Sequence, residues 1–298
     1  MSYLSEEIKN KAQQLRDKMS WRELARQLNV PKSTLSDYLR KGKVEPTKEP
    51  KILLIDVETS PLIAFVWKRW KENISQEQLI RESNILTYTA KWMGSTKAII
   101  NAIEATDTTN DYDMVKEMRD LLDECDIVVA FNGVKFDIPV INARILYHGL
   151  KQPSPYKIID PMLIAKKQFR FSSNSMDAIA SYFNLERKLK HAGFALWKRV
   201  VCGEQEAIDE MLEYNIQDVV ILEQVYLKLR PWATTLPSIA VIKEENCCPC
   251  CGSKDIKPTN KFHITNVSKY PLFVCDSCGK FHRSRVNVLD RKEIGVSV

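Results

Sequence analysis

The stretch Lys51–Pro61 reads KILLIDVETSP. Four apolar residues, Ile52 to Ile55, run directly into Asp56, and Glu58 stands two positions further on. A short apolar run of this kind suits a strand buried on both faces. Residues at i and i+2 share one side of a pleat. Asp56 and Glu58 therefore set two negative charges side by side at the strand's carboxyl end, where they repel unless a positive group lies between them.

Outward from this strand, helix and strand patterns alternate. ILTYTAKW (85–92) and KAIINAIE (97–104) read as two further strands. YDMVKEMRDLLDEC carries Met114, Val115, Met118, Leu121 and Leu122 at helical spacing. DIVVAFN is an apolar strand, DIPVINARILYHGL a helix, and a strand lies near KIIDP. Helical patterns follow around 175–183 and from about 205 to 229. This order predicts an α/β domain with a mixed sheet, in which ligands gather at the carboxyl ends of strands.

Two more acids share that setting. FNGVKFDIP puts Asp137 at the start of a helix just past a strand end. In EYNIQDVV, Tyr214 and Asp218 are spaced i, i+4 and share a face with Met211 and Leu222, so Asp218 points inward. Four carboxylates in one α/β domain suit two divalent cations, because hard Mg²⁺ or Mn²⁺ prefers oxygen ligands.

D-V-E-T at 56–59, N-G-V-K-F-D at 132–137 and Y-N-I-Q-D at 214–218 resemble, in order, the three motifs of the DEDD superfamily of 3′–5′ exonucleases. The last motif is of the tyrosine kind (DEDDy), since the position that would hold His in the other kind is Glu213. The likeness is to the proofreading exonuclease domains of family B DNA polymerases and their stand-alone phage-type relatives, over residues 51–232. It implies an RNase H-like mixed five-stranded sheet flanked by helices. It also implies that Asp56 bridges two Mg²⁺ or Mn²⁺ ions. Glu58 and Asp218 would hold the one beside the attacking water, Asp137 the other, and Tyr214 would orient that water. Thr59, Asn132 and Phe136 match motif positions and are candidates for substrate contact, with bracing of the loop the alternative for Asn132 and core packing the preferred reading for Phe136. The expected reaction is hydrolysis from the 3′ end to nucleoside 5′-monophosphates.

Between the second and third motifs, Arg170, Arg187, Lys188, Lys190, Lys198 and Arg199 are interleaved with Phe169, Phe171, Phe194 and Trp197. That pattern suits a single strand of nucleic acid, or equally a core with solvated charges around it.

Charge is unevenly spread. Residues 1–50 carry a net +4, residues 51–238 a net −2 and residues 239–298 a net +4. Basic flanks around an acidic centre suit nucleic-acid-binding appendages. In the first, Ser20 and Glu23 form a capping box, and WRELARQL lines up Trp21, Leu24, Ala25 and Leu28. Asn29 and Val30 make a turn, and Pro31 opens the next helix. ELARQLNVPKSTLSDYL resembles a helix-turn-helix, which makes residues 1–42 a small all-α module. Its second helix would offer Lys32, Ser33, Thr34, Ser36 and Arg40 to a DNA groove. A helical hairpin for protein contact is the other reading. The charged, Pro-containing segment 43–50 reads as a linker.

CCPCCGS (247–253) and CDSCG (275–279) supply two C-x-x-C pairs separated by 23 residues, a spacing suited to one closed, structural Zn²⁺ site. The first pair has two registers. Only Cys248 with Cys251 places Gly252 after the second Cys, as Gly279 follows Cys278. The expected ligands are Cys248, Cys251, Cys275 and Cys278, with exchange for Cys247 or Cys250 left open. With strand-like sequence between the pairs, residues 244–290 resemble a zinc ribbon.

No run approaches the roughly 18 apolar residues of a membrane span, and the N-terminus has no signal-peptide core. A cytoplasmic protein without a membrane partner is expected. Its expected partner is nucleic acid, with DNA favoured over RNA, and a separate polymerase or a replication or repair complex is a further candidate. Two readings compete. One is an exoribonuclease of the RNase D type, which uses the same four acids. The other is a DNA-binding regulator with a vestigial nuclease core.

Overall fold

A computed structural model of the chain describes residues 49–189 and 193–289, residues 21–31, and residues 8, 11, 12, 15 and 34. Two compact units are present, Met1–Lys48 and Glu49–Val298.

In the first unit, α1 (Trp21–Leu28) buries Leu24 and Leu28. With Ala12 and Val30 they form a small core, joined by Ile8, Leu15 and Ala25. The helix stops at Asn29, whose φ is 50°. The Asn29 N–H donates to the Arg26 carbonyl and the Val30 N–H to that of Ala25. This is the Schellman ending that a left-handed Asn permits. Lys32, Ser33, Ser36 and Arg40 lie outside the described residues, as does the expected linker up to residue 48, while Thr34 is helical and half-buried.

The second unit is built on β1 (Ile52–Thr59). A two-stranded hairpin, β2 (Ile63–Ala64) with β3 (Leu79–Arg81), follows it. β4 (Ile85–Trp92) then returns antiparallel to β1, and β5 (Ala98–Ala102) antiparallel to β4. Helix α2 (Tyr112–Glu124) leads to β6 (Ile127–Val129), parallel to β1. Helix α3 (Asp137–Tyr147) leads to β7 (Lys157–Ile159), parallel to β6. The order β5-β4-β1-β6-β7 is the expected mixed five-stranded sheet. Helices α4 (Pro161–Gln168), α5 (Met176–Tyr182), α6 (Phe194–Val201) and α7 (Gln205–Leu229) complete the layers.

The period of two along β1 sorts its side chains. Leu53, Ile55 and Val57 enter a core cluster with the apolar faces of α2 and α3. Ile52 and Leu54 enter a second cluster with α4, α5 and the C-terminal half of α7. Cover on both faces explains the unbroken apolar run. Asp56 and Glu58 continue the row of Ile52 and Leu54, so that row ends in carboxylates. Helix α3 is anchored by Arg144, which donates twice to buried Asp111, at 2.6 and 2.7 Å. Asp111 also accepts from the Ile85 N–H.

A short helix, α8 (Ile239–Ile242), leads to a small antiparallel sheet of β8 (Ile256–Thr265), β9 (Ser268–Cys275) and β10 (Phe281–Arg283). The Ile239 N–H donates to the Pro249 carbonyl at 3.0 Å. No described helix is long and apolar enough to cross a membrane.

Candidate metal centres

Asp56 and Glu58 on β1 and Asp218 on α7 each offer a carboxylate oxygen within 4.8 Å of the other two. Asp137, the fourth expected acid, is buried at the first position of α3. Its Oδ1 accepts from the Val57 N–H at 3.2 Å, which ties it to the peptide between the two β1 acids. Three acids therefore share one spot, and the fourth is held one hydrogen bond away.

Burial raises the pKa of Asp56 well above the ordinary range, and the charges of Asp137, Glu58 and Asp218 add to it. Burial and then Asp218 push Glu58 up to about 8. Burial pushes Asp137 up to about 7, against its backbone N–H donors. Acids that resist ionising together gain from a hard cation between them.

Three other side chains shape the cluster. Lys188 Nζ donates to Tyr214 Oη at 2.9 Å and pairs with Asp218. Against the effect of burial, Asp218 and Tyr214 hold this ammonium above the ordinary lysine range. Burial pushes Tyr214 up to about 12, so its phenol keeps its proton at neutral pH. Fully buried Asn215 donates from Nδ2 to Asp56 Oδ2 at 2.7 Å. Sequence reasoning missed Asn215, although its place three residues before Asp218 marks the same helix face. Nothing in the sequence separates Lys188 from the other cations of its basic tract.

That tract divides in the structure. Arg187 pairs with Asp177, and Arg199 with Glu204 and Glu210, on the surface. Phe169 and Phe171 stack at 5.1 Å and pack on the second core cluster. Trp197 packs on the first, and its Nε1 donates to the Thr59 carbonyl at 3.2 Å. Phe194 is exposed, and Lys190 lies outside the described residues.

The turn from β6 to α3 is tight. Asn132 has φ 61°, and its N–H donates to Asp160 Oδ1 at 3.0 Å. A Cβ on Gly133 would lie 2.3 Å from Ala130 Cβ, so only glycine fits there. Phe136 is 41% exposed and belongs to neither core cluster, contrary to the preferred core-packing reading. The turn leaves its ring facing outward.

The second centre is the thiol group Cys248, Cys251, Cys275 and Cys278, whose sulfurs also lie within 4.8 Å of one another. Cys248 and Cys278 Sγ are 3.7 Å apart, and Cys251 and Cys275 Sγ 3.6 Å. Thiolates about 2.3 Å from one tetrahedral ion stand roughly 3.8 Å apart, so the spacing fits Zn²⁺. The Gly252 N–H donates to the Cys248 carbonyl and the Gly279 N–H to that of Cys275, at 2.9 and 2.8 Å. Both glycines have positive φ, 76° and 73°. Although burial opposes it, backbone N–H groups of Cys278 and Ser277 and the Cys251 thiol bring Cys275 down to about 7. Cys250 faces the Arg230 carbonyl instead, and Cys247 is buried outside the group.

The fold and site thus define an α/β domain that gathers partly and fully buried carboxylates at the carboxyl end of its central strand. The chain belongs to the RNase H superfamily, whose family model matches residues 74–230. That span includes Asp137, Tyr214 and Asp218 and begins beyond Asp56 and Glu58. Among solved structures, the family B DNA polymerase from the hyperthermophilic archaeon Pyrobaculum calidifontis is similar at 12% identity with a TM-score of 0.44. The alignment covers 65% of this chain and 26% of that one, so this chain spans about a quarter of that polymerase's length. No curated protein matches.

Proposed function

We propose that the protein is a metal-dependent 3′–5′ exonuclease that releases nucleoside 5′-monophosphates, with DNA preferred over RNA. The observation that carries this reading is the convergence of Asp56, Glu58 and Asp218 oxygens within 4.8 Å, beside Tyr214 and in front of Asp137. Membership of the RNase H superfamily supports it.

Asp56, Glu58 and Asp218 would hold divalent cations, Mg²⁺ or Mn²⁺, with Asp137 completing the set. Two such ions, when bound, would offset phosphate charge and clamp the incoming and leaving oxygens. Asn215 fixes Asp56 through Oδ2 and leaves Oδ1 for ligation. Protonated Tyr214 hydrogen-bonds the attacking water. The oxygen of that water bonds to phosphorus as it gives up a proton to solvent, the P–O3′ bond breaks, and the leaving O3′ takes a proton from solvent, so the shortened strand keeps a 3′-hydroxyl. Lys188, close to both Tyr214 and Asp218, adds a positive charge near the reacting phosphate. Thr59, Asn132 and Phe136 are assigned to substrate contact. The four thiolates would hold one Zn²⁺ with no open position, a structural role. The helix-turn-helix and the ribbon would each bind nucleic acid.

The test is incubation of single-stranded DNA, duplex DNA and RNA, labelled at either end, with Mg²⁺ or Mn²⁺. The Asp56→Ala protein is the control. Stepwise loss from the 3′ end of DNA is expected, slowed by about 10³-fold or more in Asp56→Ala, since a lost metal contact costs several kcal/mol. Loss of RNA alone turns the reading to an exoribonuclease, and binding without cleavage to a regulator. An Asp56→Ala protein as fast as its parent removes the metal assignment.

A further inference from the structure

Residues 62–82 leave the carboxylate end of β1 as a projecting hairpin that the site above does not use. Its base is pinched. The Ser60 N–H donates to the Asn84 carbonyl at 2.8 Å, the Ser60 and Asn84 side chains bond at 2.9 Å, and Ser83 Oγ donates to the Ser60 carbonyl at 2.6 Å. β2 and β3 pair beyond it. The tip, FVWKRWKEN (65–73), is internally braced. The Glu72 carboxylate accepts from the Trp67 N–H at 3.0 Å and the Lys68 N–H at 2.6 Å. Gln78 Nε2 links Glu72 to the Phe65 carbonyl, at 3.0 and 3.1 Å.

This braced tip keeps Trp67 92% and Trp70 84% exposed, with Phe65 and Val66 exposed beside them. Burying apolar area is favourable by about 25 cal/mol per Å². An ordered loop that nevertheless presents two indoles to water marks an interaction surface. Charge identifies the occupant. Lys68, Arg69 and Lys71 alternate with the two Trp, and the acid that follows, Glu72, is turned onto the loop's own backbone. Cations interleaved with exposed rings complement a single nucleic-acid strand, whose phosphates they neutralise and whose bases stack on the rings. An apolar protein surface would match the rings and leave three cations unanswered. Trp67 is nine residues along the chain from Glu58. It therefore lies within about 30 Å of it at full extension, a distance spanned by a few nucleotides.

We propose that this hairpin is a stacking platform for single-stranded nucleic acid, which holds the strand a few nucleotides from the end that the carboxylates engage. The identity of the strand as substrate rests on the nuclease reading, but the binding itself does not. The first measurement is therefore fluorescence anisotropy of a labelled single-stranded oligonucleotide in chelator, with the full chain. Trp67→Ala/Trp70→Ala should weaken binding by at least about 10-fold, and Trp67→Phe/Trp70→Phe should restore most of it. Lys68→Ala/Arg69→Ala/Lys71→Ala should lower the slope of log affinity against log salt by up to about 2. In turnover, the ratio of activity on the oligonucleotide to activity on thymidine 5′-(p-nitrophenyl phosphate), which has no strand to stack, should fall by a similar factor in the Trp→Ala pair. Equal affinity and an equal salt slope in all three variants would overturn the platform and turn this face to a protein partner. Absence of turnover on both substrates, with the binding losses intact, would instead sink the nuclease reading and leave the platform standing.

Discussion

The two candidate metal centres are built in opposite ways. The thiol centre takes its ligands from two knuckles, each closed within five residues by a glycine of positive φ. The carboxylate centre joins β1 to α7, and the Asn215–Asp56 bond that steadies it spans 159 positions. A local site can form with its metal and owes its structure to it. A long-range site exists because the core exists, and it holds its acids together whether or not a cation is present. On the proposed reading the first would be a fold element completed by its ion, and the second a fold product that can receive one.

The largest effect should separate them. Cys275→Ser should cost about one zinc per chain. It should also remove most of a binding free energy on the order of 10 kcal/mol that a structural zinc lends to folding. Metal analysis and limited proteolysis within residues 244–289 would record this. Asp56→Ala should leave those residues protected. In metal-free buffer near pH 8 it should melt close to its parent, because removing an acid whose ionisation burial resists offsets the loss of the Asn215 hydrogen bond. Residues 244–289 as resistant to proteolysis in Cys275→Ser as in the parent would break the contrast.

Acidity sharpens it next. Glu58 and Asp137 are raised to about 8 and about 7 in the folded protein. The folded chain therefore binds more protons than the unfolded one over that window. The resulting stability is fully present below the ordinary carboxylate range and is lost as pH rises through about 8. In chelator the melting temperature should fall between about pH 5 and about pH 8.5, and saturating Mn²⁺ should remove most of that fall. Cys275 is shifted the other way, down to about 7, so the stability its own thiolate contributes is lost toward acid rather than base. A flat profile in chelator would mean that the acids are not held as close as the geometry has them.

The same contrast explains what could be read in advance. The strand of LLID is legible as an unbroken apolar run, and the inward stripe of Tyr214 and Asp218 rests on a spacing of four, both of which a short window reveals. The cysteine register rested on Gly252, and the structure supplies the reason in its positive φ. Lys188 carried no such signal. Its neighbour Arg187 turns to a surface aspartate while Lys188 turns into the acids, a difference set by tertiary position alone. Asp137 was legible as an acid near the site, but its step back onto the Val57 peptide depends on how α3 docks. The hairpin tip escaped because its order comes from Glu72 and Gln78 bracing a loop, not from a repeating apolar pattern.

Tyr214→Phe tests the carboxylate centre more finely. Loss of one hydrogen bond to the attacking water should lower kcat about 10- to 100-fold. KM and the Mn²⁺ concentration for half-maximal activity should stay where they are. A rise in the metal requirement instead would mean that the phenol supports the acids rather than the water.

The smallest effect concerns Lys188. In the structure its ammonium pairs with Asp218 and lowers the pKa values of Glu58 and Asp56. A divalent cation entering the cluster meets that charge. Above about pH 8 Glu58 loses its proton, so the ammonium is then a competitor that remains. Lys188→Met should therefore lower the Mn²⁺ concentration that gives half the melting shift by a few-fold at about pH 9. That corresponds to about 1 kcal/mol for a partly exposed pair. Near pH 6 the advantage should shrink or reverse, because without the lysine the acids hold their protons more tightly and the metal must displace them. A midpoint that does not move at either pH would mean that Lys188 swings clear as the cation binds. Its contact with Asp218 would then belong to the metal-free protein alone, and the carboxylate centre would differ from the thiol centre in one more respect.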